Sequence, residues 1–178
     1  LRQISTNADQ LIQGSLENLI SAGVKAFVLD LRNCPGGYLT DAVNIVSMFQ
    51  PSGTVVNVQT RFGISSKNVS GKTITDLPLI VLVNENTSNV AEVMAASLQD
   101  SGRATIVGTK TQGKGSVQVI RRLSFGGALR FTAAEYLTPK NSFIDSNGIA
   151  PNITSTNKGD TDTQKNTAID LAKRSVKN

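Results

Sequence analysis

The sequence predicts an α/β fold in which parallel strand-helix-strand units are followed by a β-hairpin. Two successions of apolar strand, helix and strand stand in series, the arrangement that builds a parallel sheet with right-handed crossovers. Two further strand-like runs flank Ser124-Phe-Gly-Gly127, a hairpin turn signal. With 39% hydrophobic and 17% charged residues, a chain of 178 residues can bury one core of ordinary size without disulfide or metal staples.

The elements follow in order. Thr6 or Asn7 can cap a helix whose apolar face is Leu11, Ile12, Leu16, Leu19 and Ile20, closed by Gly23. Lys25 to Leu31, short and apolar, predicts a strand buried on both faces. Thr40 and Asp41 open a second helix through about Phe49, and Thr54 to Thr60 is a β-branched strand. Arg61 to Lys72, polar and glycine-containing, reads as an exposed loop. The second unit is a strand at Leu79 to Val83, a helix from Val90 to Asp100 with Gly102 after it, and a strand at Ala104 to Val107. The hairpin is Ser116 to Leu123 with Ala128 to Thr132. Lys140 to Thr156 is expected as loop, Asn157 to Thr163 as a polar linker and Ala168 to Val176 as a short basic helix.

Composition excludes several functions. There is no histidine, so no imidazole base and no histidine-bearing zinc site, and one cysteine forms no internal disulfide. The net charge of +5 is spread along the chain, densest at Lys173, Arg174 and Lys177, and aromatics are 4%, too few stacking surfaces for a nucleic-acid reader. The longest apolar run, Pro78 to Val83, is far shorter than the roughly 20 residues that span a bilayer. Neither GxGxxG nor GxxxxGK[ST] occurs. The start at Leu1, without Met or leader pattern, is read as that of a fragment or processed product.

Three stretches can carry chemistry. Asp30 to Leu39 ends a strand and precedes a helix, where open α/β sheets build sites; Gly36 and Gly37 either make an ordinary turn or aim backbone N–H groups at a ligand. Val83 to Val93 runs from strand into helix, where the dipole favours developing negative charge, yet Asn89 and Glu92 also have capping-box spacing. In Gly108 to Gln118, Lys114 is either a solvated loop lysine or, if partly desolvated, a general base that Gln118 could orient.

Taken together, Asp30-Leu-Arg-Asn-Cys-Pro-Gly-Gly37, Val83-Asn-Glu-Asn-Thr-Ser-Asn-Val-Ala-Glu92, Gly102-Arg-Ala through Gly113-Lys-Gly-Ser-Val-Gln118, Tyr136-Leu-Thr-Pro139 and Gly148-Ile-Ala-Pro-Asn152 resemble the carboxy-terminal processing, or tail-specific, protease family. These are serine/lysine-dyad peptidases with a crotonase-like (ClpP/crotonase) core. The resemblance implies that Lys114 is the general base, that Gln118 positions it, and that backbone N–H groups of Val90 and of Gly36 or Gly37 form the oxyanion hole. It places the nucleophilic serine at position 89, which is Asn, with Ser88 its neighbour rather than its equivalent. Cys34 and Asn152 stand where the family usually has Asn and Asp.

The expected function is the core of a serine-type endopeptidase, inactive as written; the alternative is a pseudoprotease or a peptide- or ligand-binding module on the same fold. The asparagine would be an engineered substitution or a natural loss. The resemblance further implies unfolded or extended polypeptide substrates, no nucleic acid, no metal or organic cofactor, and an exported location in periplasm, cell envelope or medium. Residues 1–156 are expected as the protease core, without the PDZ domain that precedes it in the family, and 157–178 as linker and terminal helix. Oligomeric state is not specified.

Overall fold

The structure, a computed structural model, describes residues 1–157 and 159–176, so the Lys177 of the basic C-terminal group lies outside the described residues. The chain forms, in order, α1 (Ala8–Ser21), β1 (Phe27–Asp30), α2 (Leu39–Ser47), β2 (Thr54–Thr60), β3 (Gly63–Asn68), β4 (Leu79–Val83), α3 (Val90–Asp100), β5 (Ala104–Gly108), β6 (Ser116–Arg122), β7 (Ala128–Leu137), β8 (Ile153–Thr154) and α4 (Thr163–Ser175). Two four-stranded sheets result, one parallel with order β1-β4-β5-β8 and one antiparallel with order β3-β2-β7-β6.

The centre of the parallel sheet is β4, buried along its whole length. Successive side chains of a strand face opposite ways. Accordingly Leu79, Val81 and Val83 enter the main core with Met94, Leu98 and Ile45, while Ile80 and Leu82 join Val107, Ala168 and Ala172 in a second cluster beneath α4. Each such fully buried aliphatic side chain contributes about 1.5–3 kcal/mol relative to exposure. The strand expected to be buried on both faces, β1, is instead an edge strand with Val28 38% exposed.

Other expectations are corrected. The Arg61 to Lys72 loop contains β3, which pairs with β2 from Thr54↔Asn68 to Thr60↔Gly63. Its side chains all face solvent, so no apolar alternation marks it. The first strand-helix-strand unit does not close within one sheet: β1 pairs with β4, whereas β2 turns into the antiparallel sheet beside β7. The Lys140 to Thr156 loop includes the two-residue strand β8 against β5. At α1, the Asn7 side chain makes no cap; Asp41 in the first turn of α2 accepts the Ala8 N–H at 3.1 Å and ties the two helices together.

The last helix starts at Thr163, five residues before the expected Ala168, capped by Asp162, which accepts the Lys165 N–H at 3.0 Å. Arg32 fastens this start to the end of β1. Its guanidinium donates to Asp30 (2.7 Å), to both Asp162 carboxylate oxygens (2.7 and 3.0 Å) and to the Gln164 side-chain oxygen Oε1 (3.2 Å). Hydrogen bonds to Asp30 and then Asp162 raise the pKa of Arg32, and the hydrogen bond from Arg32 lowers that of Asp162.

A carboxylate whose folded pKa lies below its ordinary value adds stability above that ordinary value and loses it as pH falls through the folded one. Arg32→Ala is therefore expected to lower the thermal midpoint by about 3–8 °C at pH 7. Scanning calorimetry against pH should show this difference shrinking below about pH 4 as Asp162 protonates.

Candidate functional site

Three loops converge at one end of the parallel sheet: residues 31–38 after β1, 84–89 after β4 and 109–115 after β5. Six residues, 84–89, join β4 to α3. The turn is made at Asn89, with φ 54° and ψ −124°. A side chain there is strained, and the same sharp strand-to-helix turn presents the nucleophile in α/β hydrolases.

Neighbouring backbone holds the elbow. The Thr87 hydroxyl donates to the Leu31 carbonyl at 2.8 Å, and the Ser88 N–H donates to the Cys34 carbonyl at 3.0 Å. The Gln112 N–H donates to the Thr87 carbonyl at 3.0 Å. Gly36 packs so closely that a Cβ built on it would lie 2.8 Å from the Val90 nitrogen and 2.9 Å from the Ser88 carbonyl, and its φ of +90° also favours glycine. Position 36 must therefore be bare.

The strongest tie is Glu92, whose side chain is fully buried in the first turn of α3. One carboxylate oxygen accepts the Asn89 N–H (2.9 Å) and the Lys114 N–H (2.8 Å). The other accepts the Thr111 hydroxyl (2.5 Å) and the Gly113 N–H (2.7 Å). Thr111 in turn accepts the Ile149 N–H at 2.7 Å. The capping-box spacing of Asn89 and Glu92 is realised, but the carboxylate does more than cap: it fixes the elbow and the lysine loop to one point.

The predicted residues meet around a cleft of about 500 Å³ lined by Pro35, Gly37, Ser88, Asn89, Lys114, Ser116, Val117, Gln118, Arg130 and Tyr136. The Asn89 amide nitrogen lies 3.5 Å from the Lys114 carbonyl. At the start of α3 the Val90 N–H has no acceptor within the helix. Gly37 borders the cleft and Gly36 does not; the Gly36 N–H is directed at the Cys34 sulfur, whose thiol pKa burial pushes up. Ile4 pairs with the Gly36 carbonyl and the Tyr38 N–H, and backbone alternation turns the Gly37 N–H away from Ile4. Of the two glycines, Gly37 is thus the one that borders the cleft with its N–H turned away from Ile4. Burial raises the pKa of the Tyr136 phenol at the cleft floor.

Of its two readings Lys114 takes the solvated one: it is exposed, and its ammonium has no hydrogen bond or ion pair among the described residues. Gln118 borders the same cleft, but its amide donates to Thr132 across the hairpin at 2.6 Å and no hydrogen bond joins it to Lys114. Sequence reasoning missed Arg130, which reads as one of several hairpin cations until the β6–β7 pairing sets it opposite Ile120. Asn152, in the Gly148 to Asn152 motif, accepts the Ile106 N–H at 2.8 Å, a structural role. Among the described residues, no group of three or more acidic or cysteine side chains is placed to hold a metal ion. No helix is long and apolar enough to cross a membrane.

Comparison with known proteins fits this geometry. The model of a family described as peptidase family S41 matches residues 1–155. The chain is 41% identical over 152 residues to a carboxyl-terminal-processing protease of Synechocystis, covering 85% of this chain and 36% of that one. It is 36% identical over 156 residues to the chloroplastic carboxyl-terminal-processing peptidase 3 of Arabidopsis thaliana, covering 86% and 30%. Among solved structures, the photosystem II D1 C-terminal processing protease superposes with a TM-score of 0.83 at 34% identity, over 87% of this chain and 41% of that one. The chain spans about a third of the length of these curated relatives.

Glu92→Gln, which turns an acceptor into a donor among four donors, is expected to destabilise the fold by about 3 kcal/mol in urea unfolding.

Proposed function

The chain belongs to peptidase family S41, the carboxyl-terminal-processing proteases, and from that premise we propose that it is the peptide-cleaving core of such a protease, on a crotonase-like fold, halted at one atom. The carrying observation is the strained elbow at position 89, opening onto the cleft that also holds Lys114. A backbone this costly is kept where a side chain must be presented to a reacting group.

With serine at position 89, the neutral Lys114 amine would accept the hydroxyl proton as the oxygen attacks the substrate carbonyl carbon. The carbonyl π pair would move to its oxygen, where the Val90 and Gly37 N–H groups would stabilise the charge. Lysinium would then return the proton to the departing amine. Water, deprotonated by the same lysine, would release the acyl group. Asparagine stops the sequence at its first step, because a carboxamide nitrogen has its lone pair delocalised and is a poor nucleophile. Gln118 would orient the lysine only after exchanging its bond to Thr132. Because Lys114 is exposed, exclusion of water from its amine would have to come with what binds in the cleft. The substrates proposed are unfolded or extended polypeptides, and the proposed location is outside the cytoplasm.

A second reading, peptide binding without cleavage, is favoured by the same residue: a cleft with its walls intact and no nucleophile retains whatever enters it. Asn89→Ser is expected to raise hydrolysis of an unstructured protein substrate by at least about 10²-fold. Asn89→Ser with Lys114→Ala should abolish that gain. If Asn89→Ser is inert while folded, either cleavage needs residues beyond this chain or binding is its function.

A further inference from the structure

The cleft has a charge pattern that hydrolysis of an arbitrary peptide bond does not require. It contains two cations, Lys114 and Arg130, and no acidic side chain among its ten lining residues. Lys114 has its role in the proposed reaction, on which the present inference rests. Arg130 has none, and among the described residues it makes neither ion pair nor side-chain hydrogen bond.

Its position is set by the hairpin. Arg130 lies opposite Ile120, and Thr132 opposite Gln118. The register slips between Val117 and Gln118, where the partner passes from Ala134 to Thr132, so alternation does not run unbroken along β7; Glu135, the acid closest in sequence, is not among the residues lining the cleft. Glu135 borders a separate depression with Gln59, Arg61 and Thr132. Arg32 shows what this chain does with a structural arginine: it encloses the guanidinium with Asp30, Asp162 and Gln164. Arg130 is left open on the wall of a cleft.

We propose that Arg130 is a specificity-determining residue that binds a carboxylate of the peptide occupying the cleft. The guanidinium offers a planar fork of donors matched to a carboxylate and keeps its charge at every physiological pH. Two sources present that group: an Asp or Glu side chain near the bond to be cut, or the α-carboxylate of a peptide whose end lies in the cleft. Either would also be drawn in by the uncompensated positive field.

The test uses the chain as it stands, with a fluorescein-labelled ten-residue Ala/Ser peptide in three forms: amidated with a central Gln, amidated with a central Glu, and with the central Gln and a free C-terminus. Anisotropy titration at low salt is expected to show one carboxylate form binding about fivefold tighter than the neutral form. The form that gains identifies the source. Arg130→Gln should bring all three within twofold, Arg130→Lys should keep part of the preference, and Arg121→Gln, on the other face of the hairpin, should change nothing. In Asn89→Ser, the Arg130→Gln change should appear in KM rather than kcat. Equal affinity for the three forms, no saturable binding of any, or a preference that survives Arg130→Gln overturns the proposal. A carboxylate preference in a chain whose folded Asn89→Ser variant cuts nothing would count against cleavage by this chain alone and leave the present proposal standing. Cleavage indifferent to Arg130 would do the reverse.

Discussion

A single buried carboxylate organises the working end of this molecule. An ion in a protein interior is costly unless nearly every lone pair is used, and Glu92 uses its own on four donors from two loops. Three of the four are backbone N–H groups, so the side chain dictates the path of the main chain. Position 89 and Lys114 are twenty-five residues apart in sequence, and their backbone N–H groups bond to the same oxygen atom. Neither the elbow nor the lysine loop can move without leaving a charge unsatisfied.

The two sheets divide the labour around that point. The parallel sheet, with helices packed on both of its faces, is rigid and supplies the elbow from β4, its most buried strand. The antiparallel sheet supplies the outer wall through β6 and β7. Its hairpin is largely exposed, with Ile120, Phe125 and Leu129 all more than half accessible. One side of the cleft is therefore fixed by a core, and the other by a hairpin held mainly through strand pairing.

Much of this was legible in the chain, because β2, β4 and α3 carry periodic apolar patterns with clear punctuation and were located almost to the residue. The illegible parts share a physical reason. The strand β3 has both faces in solvent and so carries no alternation, and the start of α4 is fixed by Asp162 and Arg32, polar contacts across 130 residues that no local window contains. Asn89, Lys114 and Gly37 could be nominated by motif, since motifs record residue types at spacings. The convergence on Glu92 could not, because backbone N–H groups have no letter in a sequence. The bond that Gln118 makes to Thr132 was illegible for a similar reason: it depends on hairpin register.

The elbow has an evolutionary corollary. Its contorted backbone is enforced by Glu92, Gly36 and Thr87 rather than by the side chain it displays, so what stands at position 89 can change without refolding anything. Asparagine and serine codons can differ by one base. Exchange of asparagine and serine at position 89 is thus a single mutational step in either direction, and the elbow and the cleft around it do not depend on which of the two stands there.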